Sequence, residues 1–273
     1  MLLDDNVSDM SSYKVNIMSF KKNKVKAAYR WLQDQFANKL NVSFSHKNLL
    51  EVNLFGVNKG SALKKISKQI KVPLEKFAAI GDSNNDLPAL NEVSLPIAVK
   101  THSKELIQAA KYYLPYKKNA VADAINKYIL DNENHKIKLV VSDLDGTLLR
   151  NGSKTISTST IKSIIDAVDN HGIYFAIASG RNIDDALLVL KAIKVKNKDR
   201  LFIIAANGTV IYDPSKKQCI FQQTIEPHLA KEVFDSYKSI YDDKRHKGQM
   251  ALQIYQPNDL ATITKPQISR VLN

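Results

Sequence analysis

The sequence predicts an α/β fold built on a parallel sheet with helices on both faces. Short apolar runs alternate with amphipathic segments between about residues 57 and 222, which is the pattern of such a sheet. Three of the apolar runs end directly in polar residues, at Asp82, Asp143 and Ser179. Because open α/β sheets bind ligands beyond the carboxyl ends of their strands, these three residues are candidates for one site.

The elements of this central segment follow from the spacing of apolar residues. The predicted strands are 77–80, 112–114, 137–142, 173–178 and 201–206. The predicted helices are 61–70, 104–110, 120–130, 158–169 and 183–192. A polar stretch without periodicity, 131–135, divides the segment and is predicted to be a linker.

The two ends of the chain carry a different pattern, typical of a half-exposed antiparallel sheet covered by helices. The predicted strands are 13–18, 41–45, 49–54, 249–255 and 260–264, and the predicted helices are 25–40 and 227–241. Pro227 suits the first turn of the second helix. We expect the two ends to form one helix-on-sheet domain.

Composition limits the classes of protein that the chain can belong to. A chain of 273 residues that is 44% hydrophobic is typical of a globular protein. None of its apolar runs approaches the roughly 18 residues of a membrane helix, and its first residues are too polar for a signal peptide. The single cysteine, Cys219, can form no internal disulfide and is predicted to lie in a polar turn. A cytoplasmic protein without a membrane partner is the simplest interpretation.

The net charge of +13 raises the question of a nucleic-acid partner. The lysines are scattered along predicted helices, and an arginine-rich stripe interleaved with aromatic residues is missing from the sequence. This distribution favours a solvated, lysine-rich surface over nucleic-acid binding.

Asp143 and Asp145 stand one residue apart, directly before Gly146. Because the chain turns at the end of a strand, both side chains can reach one pocket. Two carboxylates in such a pocket can bind a hard cation, or can divide the roles of nucleophile and general acid/base. A solvated Asp-Gly turn is the simpler alternative.

Other motifs supply complementary chemistry at strand ends and at one loop-to-helix junction. Lys59 lies between Asn58 and Gly60 at a predicted helix start and offers a fixed cation. The loop Gly81-Asp82-Ser83-Asn84-Asn85-Asp86 offers carboxylates, and Ser179-Gly180-Arg181 offers a hydroxyl and backbone N–H groups. Together these groups could hold a metal ion and an anion.

On these motifs the chain resembles the haloacid dehalogenase-like phosphatases, and within them the Cof-type sugar-phosphate phosphatases. The matching segments are Asp143-Leu144-Asp145-Gly146-Thr147, Ser179-Gly180-Arg181, Asn207-Gly208, Asn58-Lys59-Gly60 and the loop from Gly81 to Asp86. The resemblance implies a Rossmann-like core with a smaller α/β cap domain. It also implies a Mg²⁺ cofactor and hydrolysis of a small phosphorylated metabolite, such as a sugar phosphate, through an aspartyl-phosphate.

The resemblance also assigns roles to residues. Asp143 would be the nucleophile and Asp145 the general acid/base, while Lys59 and Ser179 would hold phosphoryl oxygens. The implied metal site comprises Asp143, the backbone carbonyl of Asp145, Asp82 and Asp86, the last either ordering a metal-bound water or pairing with Lys59. The implied substrate-binding residues are Thr147, Gly180, Asn207 and Asn85.

Several of these residues have structural alternatives. Ser179 could cap the helix that follows it, and Asn85 and Asp86 could be helix caps. Asn207 with Gly208 could form a plain turn, and Arg181 could be a structural salt-bridge partner.

The chain departs from the family in the order of its motifs. The family's lysine and second acidic loop normally come last, but here they precede the aspartate pair. This order predicts a circularly permuted protein. Its core would be 57–222 with the linker 131–135, and its cap would combine 223–273 with 1–56. A second departure is the segment Ile97-Ala98-Val99-Lys100-Thr101-His102-Ser103, where the family has small residues, and it leaves the substrate open.

Alternatives to a permuted phosphatase remain. The chain could be a rearranged or split relative without activity that acts as a binding or structural protein. It could also be a domain-swapped dimer, so the sequence leaves the oligomeric state, monomer or dimer, undecided. A further alternative is a mutase that transfers the phosphoryl group to another sugar position.

Overall fold

The computed structural model describes residues 11–19, 21–46, 48–115, 119–131, 136–149, 155–242 and 250–255. The chain folds into two compact units. The central unit is Asn58–Gln222, and the terminal unit combines Met1–Val57 with Gln223–Asn273. Among the helices in these described ranges, none is long and apolar enough to cross a membrane.

Strands and helices alternate through most of the described residues. The strands are β1 (Lys14–Ser19), β2 (Leu40–His46), β3 (Leu49–Leu54), β4 (Phe77–Gly81), β5 (Leu95–Val99), β6 (Tyr112–Leu114), β7 (Leu139–Asp143), β8 (Tyr174–Ala178), β9 (Leu201–Ala205), β10 (Val210–Asp213), β11 (Gln218–Gln222) and β12 (Met250–Tyr255). The helices are α1 (Lys22–Phe36), α2 (Lys59–Ile70), α3 (Leu87–Leu90), α4 (Lys104–Ala109), α5 (Ala120–Ala124), α6 (Thr158–Ile165), α7 (Ile183–Leu190) and α8 (Pro227–Asp242). The π-helical turns Ile125–Leu130 and Asp166–Asn170 extend α5 and α6.

The central unit is built on a mixed sheet with the strand order β11-β10-β9-β8-β7-β4-β5-β6. The strands from β9 to β6 pair in parallel, and β10 and β11 add an antiparallel hairpin. This arrangement confirms the predicted α/β class. Strands β4 and β7, which lead to Asp82 and Asp143, are parallel neighbours with Phe77 opposite Leu139.

The middle strands of this sheet are buried on both faces. Every residue of β4, β7 and β9 is buried, as expected where helices cover both sides of a parallel sheet. Polar residues therefore appear only where these strands end, which brings the functional candidates to the edge of the sheet.

The terminal unit contains a four-stranded antiparallel sheet in the order β12-β1-β3-β2. Strand β1 pairs with β12 from the far end of the chain and with β3 on its other side. Helices α1 and α8 share one apolar core with this sheet, to which Val15, Leu32, Leu50 and Val233 contribute.

The structure corrects several predictions of elements. Strand β5 was not predicted because its run contains Pro96, which is unusual inside a paired strand. The hairpin β10–β11 was also missed, and Cys219 lies in β11 with an exposed side chain, so its prediction as a turn residue is wrong. The predicted helix 25–40 is too long, because α1 ends at Phe36 and Leu40 begins β2. The predicted strand 260–264 and most of the linker 131–135 lie outside the described residues.

Candidate active site

Four neighbouring strands of the central unit bring the candidate residues to one edge of the sheet. Asp143 is the last residue of β7, while Asp82, Ser179 and Ala206 directly follow β4, β8 and β9. Because these strands run in parallel, their carboxyl ends meet at the same edge, where open α/β sheets bind ligands.

Lys59 links two of the carboxylates at this edge. Its Nζ lies 2.5 Å from Oδ1 of Asp143 and 2.5 Å from Oδ1 of Asp86. Lys59 is 1% exposed, Asp86 2% and Asp143 6%. Charges in such a buried place must be paired, so the position of each of these groups depends on the other two.

The start of α2 fixes the position of Lys59, which is the first residue of the helix. Asn58 Oδ1 accepts a hydrogen bond from the Ser61 N–H at 2.9 Å, and Ser61 Oγ accepts one from the Asn58 N–H at 3.0 Å. This reciprocal capping orders the first helical turn. The next residue, Gly60, lies so close to α3 that a Cβ there would overlap the backbone carbonyl oxygen of Pro88.

The acidic loop after β4 is closed by Asp86. Oδ2 of Asp86 accepts hydrogen bonds from the backbone N–H groups of Asp82 at 3.0 Å and Ser83 at 3.1 Å, while its Oδ1 faces Lys59. Both oxygens of Asp86 therefore have partners within the protein. Asp86 caps its own loop and orients Lys59 at the same time.

Thr147 connects the two acidic segments of the site. Its Oγ1 donates a hydrogen bond to Asp82 Oδ1 at 3.0 Å. The structure thus places Thr147, proposed from the sequence as a substrate-binding residue, against a carboxylate. In this position it orients Asp82 toward Asp143.

The carboxylates are arranged so that they could hold a hard divalent cation. Asp82, Asp86 and Asp143 each offer one oxygen, and these atoms lie within 4.8 Å of one another. Such cations prefer oxygen ligands. Gly146, with φ of +92°, leaves room for Asp82, because a Cβ at Gly146 would overlap Asp82 Oδ2. The donor set fits a hard divalent cation such as Mg²⁺.

The electrostatics of the site are dominated by burial and by this crowding of carboxylates. Burial, followed by the charge of Asp86, raises the pKa of Asp82 to about 6, against opposing effects of Thr147, Lys59 and Lys100. Burial, opposed by Lys59 and reinforced by Asp86 and Asp82, raises the pKa of Asp143 well above its ordinary value. Burial would lower the pKa of Lys59, but Asp143 and Asp86 outweigh it and raise that pKa. A bound cation would relieve the repulsion between the carboxylates.

Asp145 lies beside this cluster and has a different environment. Its side chain is 55% exposed and forms a two-pronged ion pair with Arg181. The Arg181 Nε donates to Asp145 Oδ2 at 2.8 Å, and Nη2 donates to Oδ1 at 2.6 Å. The sequence left Arg181 as a possible structural salt-bridge partner, and the structure identifies Asp145 as that partner. The sequence did contain one indication of this pair, because Arg181 lies two residues after Ser179, at the end of the strand next to that of Asp143.

Ser179 is buried and shapes the turn that carries Arg181. Its Oγ accepts a hydrogen bond from the Arg181 N–H at 3.1 Å. The alternative role of Ser179 as a helix cap is wrong, because Asn182 caps α7 by accepting a hydrogen bond from the Asp185 N–H. Three residues separate Ser179 from the helix, and its hydroxyl instead stabilises the turn.

The turn Ala206-Asn207-Gly208 braces this part of the site. All three residues have positive φ, with values of 48°, 60° and 104°. The Ala206 N–H donates to the Arg181 carbonyl oxygen at 2.8 Å, and the Asn207 N–H donates to the Ser179 carbonyl oxygen at 3.0 Å. A Cβ at Gly208 would overlap the backbone carbonyl oxygen of Asn58. The turn therefore packs against both the serine turn and the start of α2.

The remaining candidates lie around this cluster. Asn85 is half-buried, and its Oδ1 accepts a hydrogen bond from Ser83 Oγ at 2.6 Å within the acidic loop. Gly180 is half-buried in the serine turn. Lys100, with φ of +46°, follows β5, and its charge acts on Asp82. The family's small-residue segment is thus replaced by a cation near the acidic loop.

Comparison with known proteins identifies the family to which this site belongs. A family model of haloacid dehalogenase-like hydrolases matches the chain over residues 2–125 and 140–267. Acidic residues, a lysine and a serine at the carboxyl edge of a parallel sheet supply groups that can bind a metal ion and an anion. The chain belongs to the haloacid dehalogenase-like hydrolase family, as its motifs predicted.

Individual relatives match shorter stretches of the chain. A Buchnera aphidicola subsp. Baizongia pistaciae protein, whose name marks it provisionally as a phosphatase, is 36% identical over 121 residues, covering 44% of this chain and 40% of that protein. Phosphatase YwpJ of Bacillus subtilis is 28% identical over 129 residues, covering 47% of this chain and 40% of that protein. The chain therefore spans about two fifths of the length of these relatives. A haloacid dehalogenase-like hydrolase structure from B. subtilis is 27% identical with a TM-score of 0.40, over 43% of this chain and 41% of that one.

Proposed function

We propose that this chain is a Mg²⁺-dependent phosphatase that hydrolyses a small phosphorylated metabolite, such as a sugar phosphate, through an aspartyl-phosphate. The observation that carries the proposal is the position of Lys59 between Asp143 and Asp86, with Asp82 within reach of the same cation site. Membership of the hydrolase family and the phosphatase names of the relatives support it.

The first step uses Asp143 as the nucleophile. One of its carboxylate oxygens forms a bond to phosphorus while the bond from phosphorus to the leaving oxygen breaks. Asp145 donates its proton to that leaving oxygen. In the second step Asp145, now ionised, takes a proton from a water molecule that attacks phosphorus. The bond from phosphorus to Asp143 breaks, which frees the Asp143 carboxylate and releases inorganic phosphate.

The surrounding residues stabilise the charge that builds up on the phosphoryl oxygens. Lys59 offers a fixed cation beside Asp143, and the serine turn offers the Ser179 hydroxyl and backbone N–H groups. Asp143, Asp82 and the backbone carbonyl of Asp145 would hold Mg²⁺, with Asp86 orienting Lys59 and the loop. When bound, the metal neutralises negative charge on the phosphoryl group.

We also propose that the chain is circularly permuted relative to its family. The lysine and second acidic loop precede the aspartate pair in sequence, yet β4 and β7 are parallel neighbours that present both motifs at one edge. The separate family matches over 2–125 and 140–267 agree with this proposal. In this interpretation, 57–222 is the catalytic core, and 223–273 with 1–56 is the cap that selects the substrate.

Turnover of phosphate monoesters with and without Mg²⁺ tests the proposed function. We expect hydrolysis by the wild-type chain that a chelator abolishes and Mg²⁺ restores. Asp143→Asn should lower kcat on the order of 10⁴-fold or more, because it removes the nucleophile without changing side-chain volume. The matched control is Asp199→Asn, the same substitution at an exposed carboxylate that precedes β9 at the opposite edge of the sheet. Turnover by Asp143→Asn at the control rate, or an inactive wild type, would contradict the proposal.

A further inference from the structure

Arg181 and Asp145 form a two-pronged ion pair at the site, outside the buried cluster. Two parallel hydrogen bonds, of 2.8 and 2.6 Å, join the guanidinium edge to the two carboxylate oxygens. Bidentate pairs of this kind fix the plane and direction of a carboxylate as well as its distance. The fork uses one lone pair of each carboxylate oxygen, so a proton can be carried on the outer side of either oxygen when the group acts as an acid.

The geometry of this contact does more than bring two opposite charges together. The Arg181 side chain is 39% exposed and that of Asp145 is 55% exposed, so solvent screens part of their attraction. The two parallel hydrogen bonds, in contrast, hold the Asp145 carboxylate in one plane. The pair therefore restricts the orientation of a carboxylate.

Arg181 is itself held at both ends of its backbone. Its N–H donates to Ser179 Oγ at 3.1 Å, and its carbonyl oxygen accepts from the Ala206 N–H at 2.8 Å. Ala206 adopts φ of +48°, an uncommon conformation for a residue other than glycine. The guanidinium thus extends from a backbone position that two strand ends fix together.

We propose that Arg181 is a positioning residue that holds the Asp145 carboxyl group in the orientation required for proton transfer to the leaving oxygen. The inference rests on the proposed phosphatase function and adds to it a residue that acts through Asp145. In the reaction, the bond from phosphorus to Asp143 forms while the bond from phosphorus to the leaving oxygen breaks, and the Asp145 O–H bond breaks as its proton moves to that leaving oxygen. Arg181 exchanges no proton in this step.

Dependence on the leaving group separates positioning of the acid from a general effect on the site. p-Nitrophenyl phosphate expels a stable phenolate and needs little protonation, whereas glycerol phosphate expels an alkoxide and depends on the acid. We expect Arg181→Gln to lower kcat about 10- to 100-fold for glycerol phosphate, a part of the range for acid/base catalysis, and to change kcat for p-nitrophenyl phosphate far less. Arg181→Lys, which keeps the charge but loses the fork, should fall between wild type and Arg181→Gln.

The double variant Arg181→Gln/Asp145→Asn isolates the route of the effect. If Arg181 acts through Asp145, this double variant should be no slower on glycerol phosphate than Asp145→Asn alone. Arg200→Gln is the matched control, because Arg200 bonds the Gly172 carbonyl oxygen and lies against Tyr174. It should leave the ratio of the two rates unchanged.

The outcomes distinguish failure of this inference from failure of the proposed function. Equal losses on both substrates, or additive losses in the double variant, would show that Arg181 contacts the phosphoryl group itself and would overturn the inference alone. A wild-type chain that hydrolyses neither ester with Mg²⁺ would overturn the proposed function and the inference together. Melting temperatures close to wild type would exclude unfolding as the cause of any loss.

Discussion

The ionisation of Asp82 couples the site to pH. Its pKa of about 6 lies above the ordinary value of 3.8, chiefly through burial and through Asp86. The folded protein therefore binds this proton more tightly than the unfolded chain does. In the metal-free protein, the resulting stability is fully present below about pH 4 and is lost as the pH rises through about 6.

We expect the affinity for Mg²⁺ to rise with pH, whereas the stability of the metal-free protein falls. Protons compete with the metal for Asp82, and for Asp143, whose pKa is raised in the same direction. Through the proton displaced from Asp82, the affinity should therefore fall by about tenfold for each pH unit below about 6. A proton displaced from Asp143 adds to this fall. Calorimetric titration with MgCl₂ at about pH 7.5 and about pH 5 measures this change. Equal affinity at the two pH values would contradict the assignment of Asp82 as a ligand.

Some contacts of individual residues could be predicted from the sequence, and others could not. Asp82, Asp143 and Lys59 were predicted to meet because two directly follow apolar strands and the third opens a helix. The contacts of Thr147 with Asp82 and of Arg181 with Asp145 were not predictable, because side-chain direction after a turn depends on backbone torsions. Gly146, for example, adopts φ of +92°, and that value cannot be derived from its neighbours in sequence.

Among the elements, the start of α2 depends on close packing. Gly60 lies against the backbone of α3, with the carbonyl oxygen of Pro88 in the space that a Cβ would occupy. The contact sets where Lys59 emerges. The apolar runs predicted this helix and the buried strands β4, β7, β8 and β9. They did not predict β5, whose run contains Pro96.

Gly60→Ala should therefore affect both stability and activity. The added methyl group must push α2 away from α3, so we expect a loss of about 1–3 kcal/mol in the free energy of unfolding and slower turnover as Lys59 shifts. Gly56→Ala is the control, since its φ of +76° brings strain but its Cβ would contact nothing within 4 Å; about 1 kcal/mol is expected there. Urea unfolding together with turnover measures both effects. A Gly60→Ala chain as stable and active as wild type would contradict the proposed role of this contact.

At the scale of the whole molecule, one site draws on two sequence halves. Lys59, Asp82 and Asp86 come from before the predicted linker 131–135, and Asp143, Asp145 and Ser179 come from after it. A permuted monomer completes its site within one chain, whereas a domain-swapped dimer would complete it with half of a second chain.

Mixing two inactive chains separates these two arrangements. Lys59→Met damages the first half of the site, and Asp143→Asn damages the second. If each chain forms its own site, a co-refolded mixture of the two variants should stay as inactive as either variant alone. In swapped dimers, a site built from the two undamaged halves would restore a substantial part of the activity, and that recovery would contradict the permuted monomer.

The measurement that tests the proposed mechanism most directly is trapping of the phosphoryl group on the protein. Asp145→Asn should slow hydrolysis of the intermediate, so that it accumulates with substrate and Mg²⁺ and can be quenched in acid. Peptide mass spectrometry should then find one phosphoryl group on Asp143, dependent on Mg²⁺ and absent from the Asp143→Asn/Asp145→Asn double variant. A phosphoryl group on another residue during turnover by the wild type would contradict the account. So would the absence of phosphorylated protein from the Asp145→Asn chain while that chain turns over substrate.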